Sequence, residues 1–260
     1  MSEFACCAIM KMMTIKIISL NIWPGGYLQD SAMSFLKAQD ADLVVLQEVF
    51  NGEDTTLNPR YRTLQLLKAK LGLPYESFAP DYDQPDKNAQ IGNAIISRFP
   101  ISARVTGDFF YRSEDGNSNN INHSYNLQHV VINTPMHDLD LFNLHGVWDL
   151  EGDKFSLKRQ AMSSHILEAV KDKKRVILAG DTNARPTNKA ITIIGEHLKS
   201  VFGNKLTTTF NMKHKDNEGY ASSAVDMMFV SPGVQVIEYN CLDVDISDHL
   251  PLVMTVAIRK

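Results

Sequence analysis

The chain has 260 residues, 44% of them hydrophobic and 22% charged, with a formal net charge of -4. That composition is ordinary for a water-soluble globular protein with a substantial core, and it excludes collagen-like, low-complexity or disordered chains. The mild acidity excludes a global basic field of the kind that draws proteins non-specifically to nucleic acid, while leaving room for a local basic patch.

In chain order, residues 1–12 read as a flexible extension. The apolar stretch Phe4 to Met10 is too short to span a bilayer, and Glu3 stands where a secretory leader carries positive charge. Cys6, Cys7 and Cys241 form neither a disulfide framework nor a zinc spacing, so reduced thiols, a cytoplasmic location and no transmembrane segment are expected. Thr14 to Leu20 and Leu43 to Leu46 read as buried strands on either side of a helix that starts at Asp30 and runs through Met33 and Leu36. A second helix spans Arg60 to Leu71 and stops at Gly72, with Pro74 beyond it.

Strands are predicted at 91–97, 101–109, 125–133 and 139–145, then a helix with Leu157, Ala161, Ile166 and Val170 as its apolar face. Strands at 175–180, 225–230, 233–239 and 252–258 follow, with a helix near 188–198. The polar segments Gln84 to Gln90 and Glu114 to His123 read as loops. No repeat or linker divides residues 13–260, so they form a single domain of α/β class. Paired strands broken by a few helices imply two largely antiparallel mixed sheets packed face to face with helices outside.

Polar residues recur where apolar strands end. They are Asn21 in "SLNIW", Glu48 in "VVLQEV", His145 in "LFNLHG", Asp181 and Asn183 in "ILAGDTN", and Asp248 and His249 in "ISDHLPL"; Asp226 sits inside the strand "SAVDMMFVS". Two residues apart at a strand end, Asp181 and Asn183 face one side together. Taken singly, each residue has a structural explanation. Asn21 suits a turn before Pro24, a strand-end Glu48 is paired, solvated or metal-bound, His145 and His249 suit hydrogen-bonded structural imidazoles, and Asp181 with Asn183 suits an Asx turn.

Their joint order, with "GNAIISRFP" at 92–100, resembles the endonuclease/exonuclease/phosphatase superfamily, which includes deoxyribonuclease I, abasic-site endonucleases, inositol polyphosphate 5-phosphatases and neutral sphingomyelinases. The resemblance covers roughly residues 14 to 258. It implies a four-layer α/β sandwich and a divalent-metal-dependent phosphoesterase that uses water directly. Carried over residue by residue, it implies Glu48 as the principal Mg²⁺ or Mn²⁺ ligand with Asn21 and Asp248 in support. Asp181 matches the residue that orients or deprotonates water and Asn183 the amide on a phosphate oxygen. His249 matches the imidazole at the scissile phosphate, Asp226 the carboxylate that orients it, and His145 a second phosphate-side histidine.

Arg98 and Asn93 are further substrate-binding candidates. Lys154, Lys158 and Arg159, and the "KHK" at 213–215, are candidates for a substrate groove. The favoured partner is a phosphodiester in a nucleic acid or nucleotide-like substrate. The alternatives are a small or lipid-linked phosphate and, from another class, a catalytically silent binding module. Ala224-Val225-Asp226-Met227 departs from the family's Arg-Ile-Asp-Tyr, Leu144 replaces a Thr before His145, and "GDTN" resembles the tyrosyl-DNA phosphodiesterase branch. These departures put the substrate contacts in doubt and leave the proposed catalytic set intact.

Overall fold

The computed structural model describes residues 13–111, 124–149 and 152–258. The expected extension 1–12 and the loop at 114–123 lie outside the described residues. The chain runs β1 (Met13–Asn21), α1 (Gln29–Gln39), β2 (Leu43–Gly52), α2 (Thr63–Leu71), β3 (Tyr75–Gln84), β4 (Ala89–Ser97), β5 (Ile101–Val105), β6 (Phe109–Tyr111), β7 (Tyr125–Asn133) and β8 (Asp138–His145). It continues through α3 (Leu157–Val170), β9 (Val176–Asp181), α4 (Lys189–Gly195), β10 (Lys199–Ser200), β11 (Asp226–Val230), β12 (Val234–Cys241) and β13 (Leu252–Ile258).

The strands form a six-stranded sheet in the order β12-β13-β1-β2-β4-β3 and a seven-stranded sheet in the order β10-β11-β9-β8-β7-β5, with β6 also on β7. Period-two alternation sorts the side chains. Ile15 and Ile17 of β1 and Leu43 and Val45 of β2 turn inward to meet Leu141, Ile177 and Met228 of the other sheet. Ile18, Leu20, Val44 and Leu46 turn outward, under Leu36 of α1 and Leu67 of α2. On the far side, Phe142, Leu178 and Phe229 meet Met162 and Ile166 of α3 and Ile191 and Ile194 of α4. The result is a four-layer sandwich, helices outside both sheets. No helix among the described residues is long and apolar enough to cross a membrane.

Among the described pairings, each sheet has one parallel pair. β1 runs parallel to β2 with Asn21 opposite Gln47, and β8 runs parallel to β9 with His145 opposite Asp181. Parallel neighbours end on the same side, so each sheet delivers two strand ends to one edge of the sandwich. Between the sheets lies a buried amide network that the sequence reading did not anticipate. Gln47 Nε2 donates to Asn143 Oδ1 at 2.7 Å, and Asn143 Nδ2 donates to the Leu46 and Ala94 carbonyls and to Gln128 Oε1 at 3.1 Å.

Several expected elements differ. The run at 101–109 is two short strands, and the segment at 84–90 contributes only a tight turn, Pro85–Lys87, between paired strands. On α3, Leu157 is 84% exposed and Ala161 is exposed, while Arg159 and Met162 are buried in their place.

Candidate active site

Asn21 closes β1 and is 1% exposed. Its Oδ1 accepts the Trp23 amide at 3.0 Å, which fixes the NH₂ group toward two carboxylates: Glu48 Oε1 at 3.0 Å and Asp181 Oδ2 at 3.2 Å. An amide nitrogen cannot ligate a cation. Asn21 thus bridges two acids through its NH₂ group.

Glu48 owes its direction to a bulge. Leu46 and Val49 both pack on the outer face, the register with β4 shifts between them, and Glu48 takes φ +60°. A bulge adds a residue and re-aims its side chain, and left-handed backbone at a bulky residue concentrates at functional sites. Trp23 (φ +60°) and Asn183 (φ +49°) share this conformation and line the same cleft.

Gly180 precedes Asp181 with φ +142°, and a Cβ there would lie 2.0 Å from the Leu144 carbonyl oxygen. Glycine thus lets β9 press against β8 and sets Asp181 beside His145. Asp181 Oδ1 accepts the Asn183 amide at 2.8 Å, and Asn183 Nδ2 donates to the Gly146 carbonyl at 3.0 Å. Asp226 pairs opposite Asp181 across β11 and β9, and its Oδ2 meets His249 Nδ1 at 2.9 Å. His249 Nε2 then lies 3.9 Å from Asp181 Oδ2, and His145 Nε2 lies 3.7 Å from Glu48 Oε1.

The electrostatics follow from this packing. Burial pushes Glu48 up to about 7, partly offset by the Asn21 hydrogen bond and the field of His249. Burial and the Asp226 charge raise Asp181, against the lowering fields of His249 and His145. Burial alone would lower His249, but Asp226 and Asp181 outweigh it and carry the imidazole to about 10.

A cleft of about 290 Å³ collects Glu48, His145, Asp181, Asn183, Asp248 and His249. Aromatic rings border it. Phe210 stands 4.6 Å from the His249 ring, and Trp23 stacks at a tilt on His214 at 5.2 Å and on Tyr27 at 4.9 Å. Asp248 is paired with the Lys215 ammonium, which leaves it compensated in this geometry. Lys215, Trp23, Phe210 and Trp148 are site residues that sequence reasoning did not single out, apart from the "KHK" segment as a groove border. Asp81, the bulge residue of β3, was also missed; it accepts from Asn126 Nδ2 at 2.7 Å, and burial followed by the Glu48 charge raises it well above the usual carboxylate range.

Two other candidates sit elsewhere. Arg98 pairs with Asp40 and Asp42 at 2.8 Å each, at the start of β2, roughly 20 Å of strand from Glu48. Arg98→Ala is expected to cost about 1 kcal/mol or less, because surface pairs are worth little, and to leave kcat/KM within about twofold; a larger fall in steady-state assays would put Arg98 back at the substrate. Asn93 is fully buried between the sheets, with Nδ2 3.5 Å from Asn126 Oδ1, away from the cleft lining. Arg159 is committed to the backbone. At 2% exposure its guanidinium holds the carbonyls of Gly152, Lys154, Val147 and Asn183.

Asp181, Asp226 and His249 place potential ligand atoms within 4.8 Å of one another. Asp226 takes His249 Nδ1 at 2.9 Å and both aspartates raise the imidazole, so the trio also forms a charge-coupled acid-base set. Glu48 fits a hard divalent ion better: it is an acceptor-only carboxylate, driven up by burial, with an amide as its nearest donor.

The comparisons agree with the geometry. No curated protein matches the sequence. The fold is shared with an endonuclease/exonuclease/phosphatase from Beutenbergia cavernae DSM 12333 (TM-score 0.74, 17% identity, 95% of this chain and 72% of that one). It is shared with the human Nocturnin catalytic domain bearing a sulfate anion (0.68, 16%, 95% and 96%) and with D. rerio TDP2 complexed with single-strand DNA product (0.70, 18%, 94% and 98%). The family model for these enzymes matches residues 26–249, the span that carries the cleft's acids and both its histidines, with Asn21 ahead of it on β1: the chain belongs to the endonuclease/exonuclease/phosphatase family.

Proposed function

We propose that the protein hydrolyses a phosphodiester in a nucleic acid or nucleotide-like substrate, with Mg²⁺ or Mn²⁺ held by Glu48. The observation that carries this reading is the meeting of Asp181 with an Asp226-backed His249 at 3.9 Å in one cleft. Asp181, raised by burial, takes the proton of a water as its oxygen attacks phosphorus. His249, charged and held by Asp226, donates to a phosphoryl oxygen as negative charge grows there. Asn183 and His145 bind the remaining oxygens, and the ester oxygen departs, taking a proton from solvent, to leave an alcohol and a phosphomonoester. Bound at Glu48, the ion supplies positive charge to the phosphoryl oxygens. No serine, threonine or cysteine lines the cleft among the described residues, which supports water as the nucleophile.

A second reading, hydrolysis of a small or lipid-linked phosphate, draws on exposed Trp148, which lines the cleft, and exposed Tyr27, which packs on Trp23 at 4.9 Å. A screen of single-stranded DNA, RNA, phosphotyrosyl-DNA, sphingomyelin and inositol phosphates with Mg²⁺, Mn²⁺ or EDTA separates the two. Metal-dependent cleavage of a nucleic acid is the expected result, and turnover of only a lipid or small phosphate ester would replace it with the second reading.

The ion assignment has a readout apart from turnover. Glu48 ionises at about 7 when folded and near 4.5 when unfolded, so the folded state binds more protons between those values and metal-free stability falls as pH rises across that window. His249, raised from 6.5 to about 10, contributes stability that is full below 6.5 and lost as pH climbs through 10. Saturating Mg²⁺ is therefore expected to raise Tm by roughly 5 °C at pH 8 and far less at pH 5.5, where Glu48 holds a proton. In Glu48→Gln the Mg²⁺ shift should vanish while metal-free Tm at pH 8 rises. An equal Mg²⁺ shift in both proteins would remove Glu48 from the ion site.

A further inference from the structure

A second chamber, about 310 Å³, adjoins the catalytic cleft and shares Trp148, Asn183, Phe210 and Tyr220 with it. We propose that this chamber is a subsite for the nucleotide unit next to the scissile phosphate, with its base against Trp148 and Tyr220 and its further phosphate on Arg185. The inference rests on the phosphodiesterase reading above and names the substrate class for the same site.

The two rings are arranged differently, and both arrangements favour a planar guest. Trp148 is 55% exposed and has no ring partner among the described residues, so a large π-face is open at the junction of the two chambers. Tyr220 is held: its ring packs edge-on against Phe210 at 4.5 Å, and Phe210 packs on His249 at 4.6 Å. Lys215 lies over both Phe210 and Tyr220, at 5.0 and 5.1 Å. A fixed chain of rings thus runs from the scissile-phosphate histidine into the second chamber. Bases stack on such rings whatever their sequence, since every base has a π-face.

Arg185 supplies the charge. Its Nε and Nη2 both donate to Ser223 Oγ, at 3.2 and 2.8 Å, and Ser223 Oγ donates onward to the Gly219 carbonyl at 2.7 Å. A neutral hydroxyl orients the guanidinium without neutralising it, and no carboxylate lies within ion-pair distance of Arg185 among the described residues. A fixed, uncompensated guanidinium suits a phosphate. Asp153 also lines the chamber, but it accepts the Arg185 amide at 3.2 Å and Asn188 Nδ2 at 3.0 Å, and Arg159 stands 4.0 Å away. The same arginine argues against a choline headgroup, whose quaternary ammonium it would repel, and the polar Asn217 and Ser223 walls argue against an acyl chain.

The chain contains two tryptophans, Trp23 and Trp148, so a Trp23→Phe background isolates the signal of Trp148. In that background, with Asp181→Asn added to prevent turnover and Mg²⁺ present, adenosine 3′,5′-bisphosphate is expected to quench the fluorescence. By calorimetry it should bind at least about tenfold more tightly than ribose 5-phosphate. Tyr220→Ala should cut that affinity about tenfold, and Arg185→Gln should erase the advantage of the bisphosphate over adenosine 5′-monophosphate while leaving the monophosphate bound. Equal affinity for the ribose and adenosine phosphates, no quenching, or tighter binding of phosphocholine than of the adenosine compounds would overturn the proposal. If the wild-type enzyme still cleaves a phosphodiester in that event, the subsite alone is lost; if it cleaves none, the functional reading falls first.

Discussion

Asp181→Asn is expected to lower kcat about a thousandfold, within the range that a positioned general base contributes, with KM nearly unchanged and the fold intact. The change is close to isosteric. The new side chain retains an oxygen for the Asn183 amide, which Asp181 Oδ1 now accepts at 2.8 Å. What it loses is the ability to take a proton beside His249, 3.9 Å away, and the oxygen that accepts Asn21 Nδ2 at 3.2 Å. Stability should change little, because relief of an ionisation that burial and the Asp226 charge both oppose offsets the lost Asn21 hydrogen bond. Wild-type activity should increase with pH while the raised Asp181 and Glu48 lose their protons, and decline as His249 is discharged near 10. A single-turnover rate for the variant within about tenfold of wild type would remove Asp181 from proton transfer and leave it as a holder for Asn183.

The sequence made this cluster legible because its members close apolar strands, where a polar side chain stands out against the buried run before it. β1 and β9 are such runs, and their register then brings Asn21 and Asp181 within 3.2 Å across 160 residues. Side-chain direction at those ends was less legible. Whether Asn21 presents oxygen or NH₂ depends on the Trp23 amide, and the aim of Glu48 depends on a one-residue bulge; neither leaves a periodic trace. β3 was missed because Tyr75–Gln84 contains Pro80 and polar residues at half its positions, as an edge strand does, so the period-two signal fails there. The two-residue β10 is too short for any pattern.

Arg159 shows the same limit from the opposite side. Three basic residues near the start of α3 read as candidates for a substrate groove, and the helical spacing favoured Leu157 and Ala161 as core. The structure reverses the assignment because the carbonyls of four loop residues converge where the third basic residue falls, and a forked guanidinium satisfies them as no apolar side chain can.

That arrangement gives the largest stability effect expected from one substitution. Arg159→Met relieves the desolvation of a buried charge, which is worth several kcal/mol, but it strands four carbonyls that now receive charged donors, three of them at 2.6 to 2.7 Å, and removes the cation 4.0 Å from Asp153. The losses outweigh the relief, and a net destabilisation of about 3–5 kcal/mol is expected in urea unfolding, at unchanged m. Arg159→Lys should recover only part of it, since one ammonium cannot fork to carbonyls on both sides. The Val147 carbonyl precedes Trp148 and the Asn183 carbonyl belongs to a cleft residue, so folded variant protein should also lose kcat, at temperatures well below its Tm. A variant within about 1 kcal/mol of wild type would mean that water can replace the guanidinium, and that the loops on either side of the cleft hold their places without it.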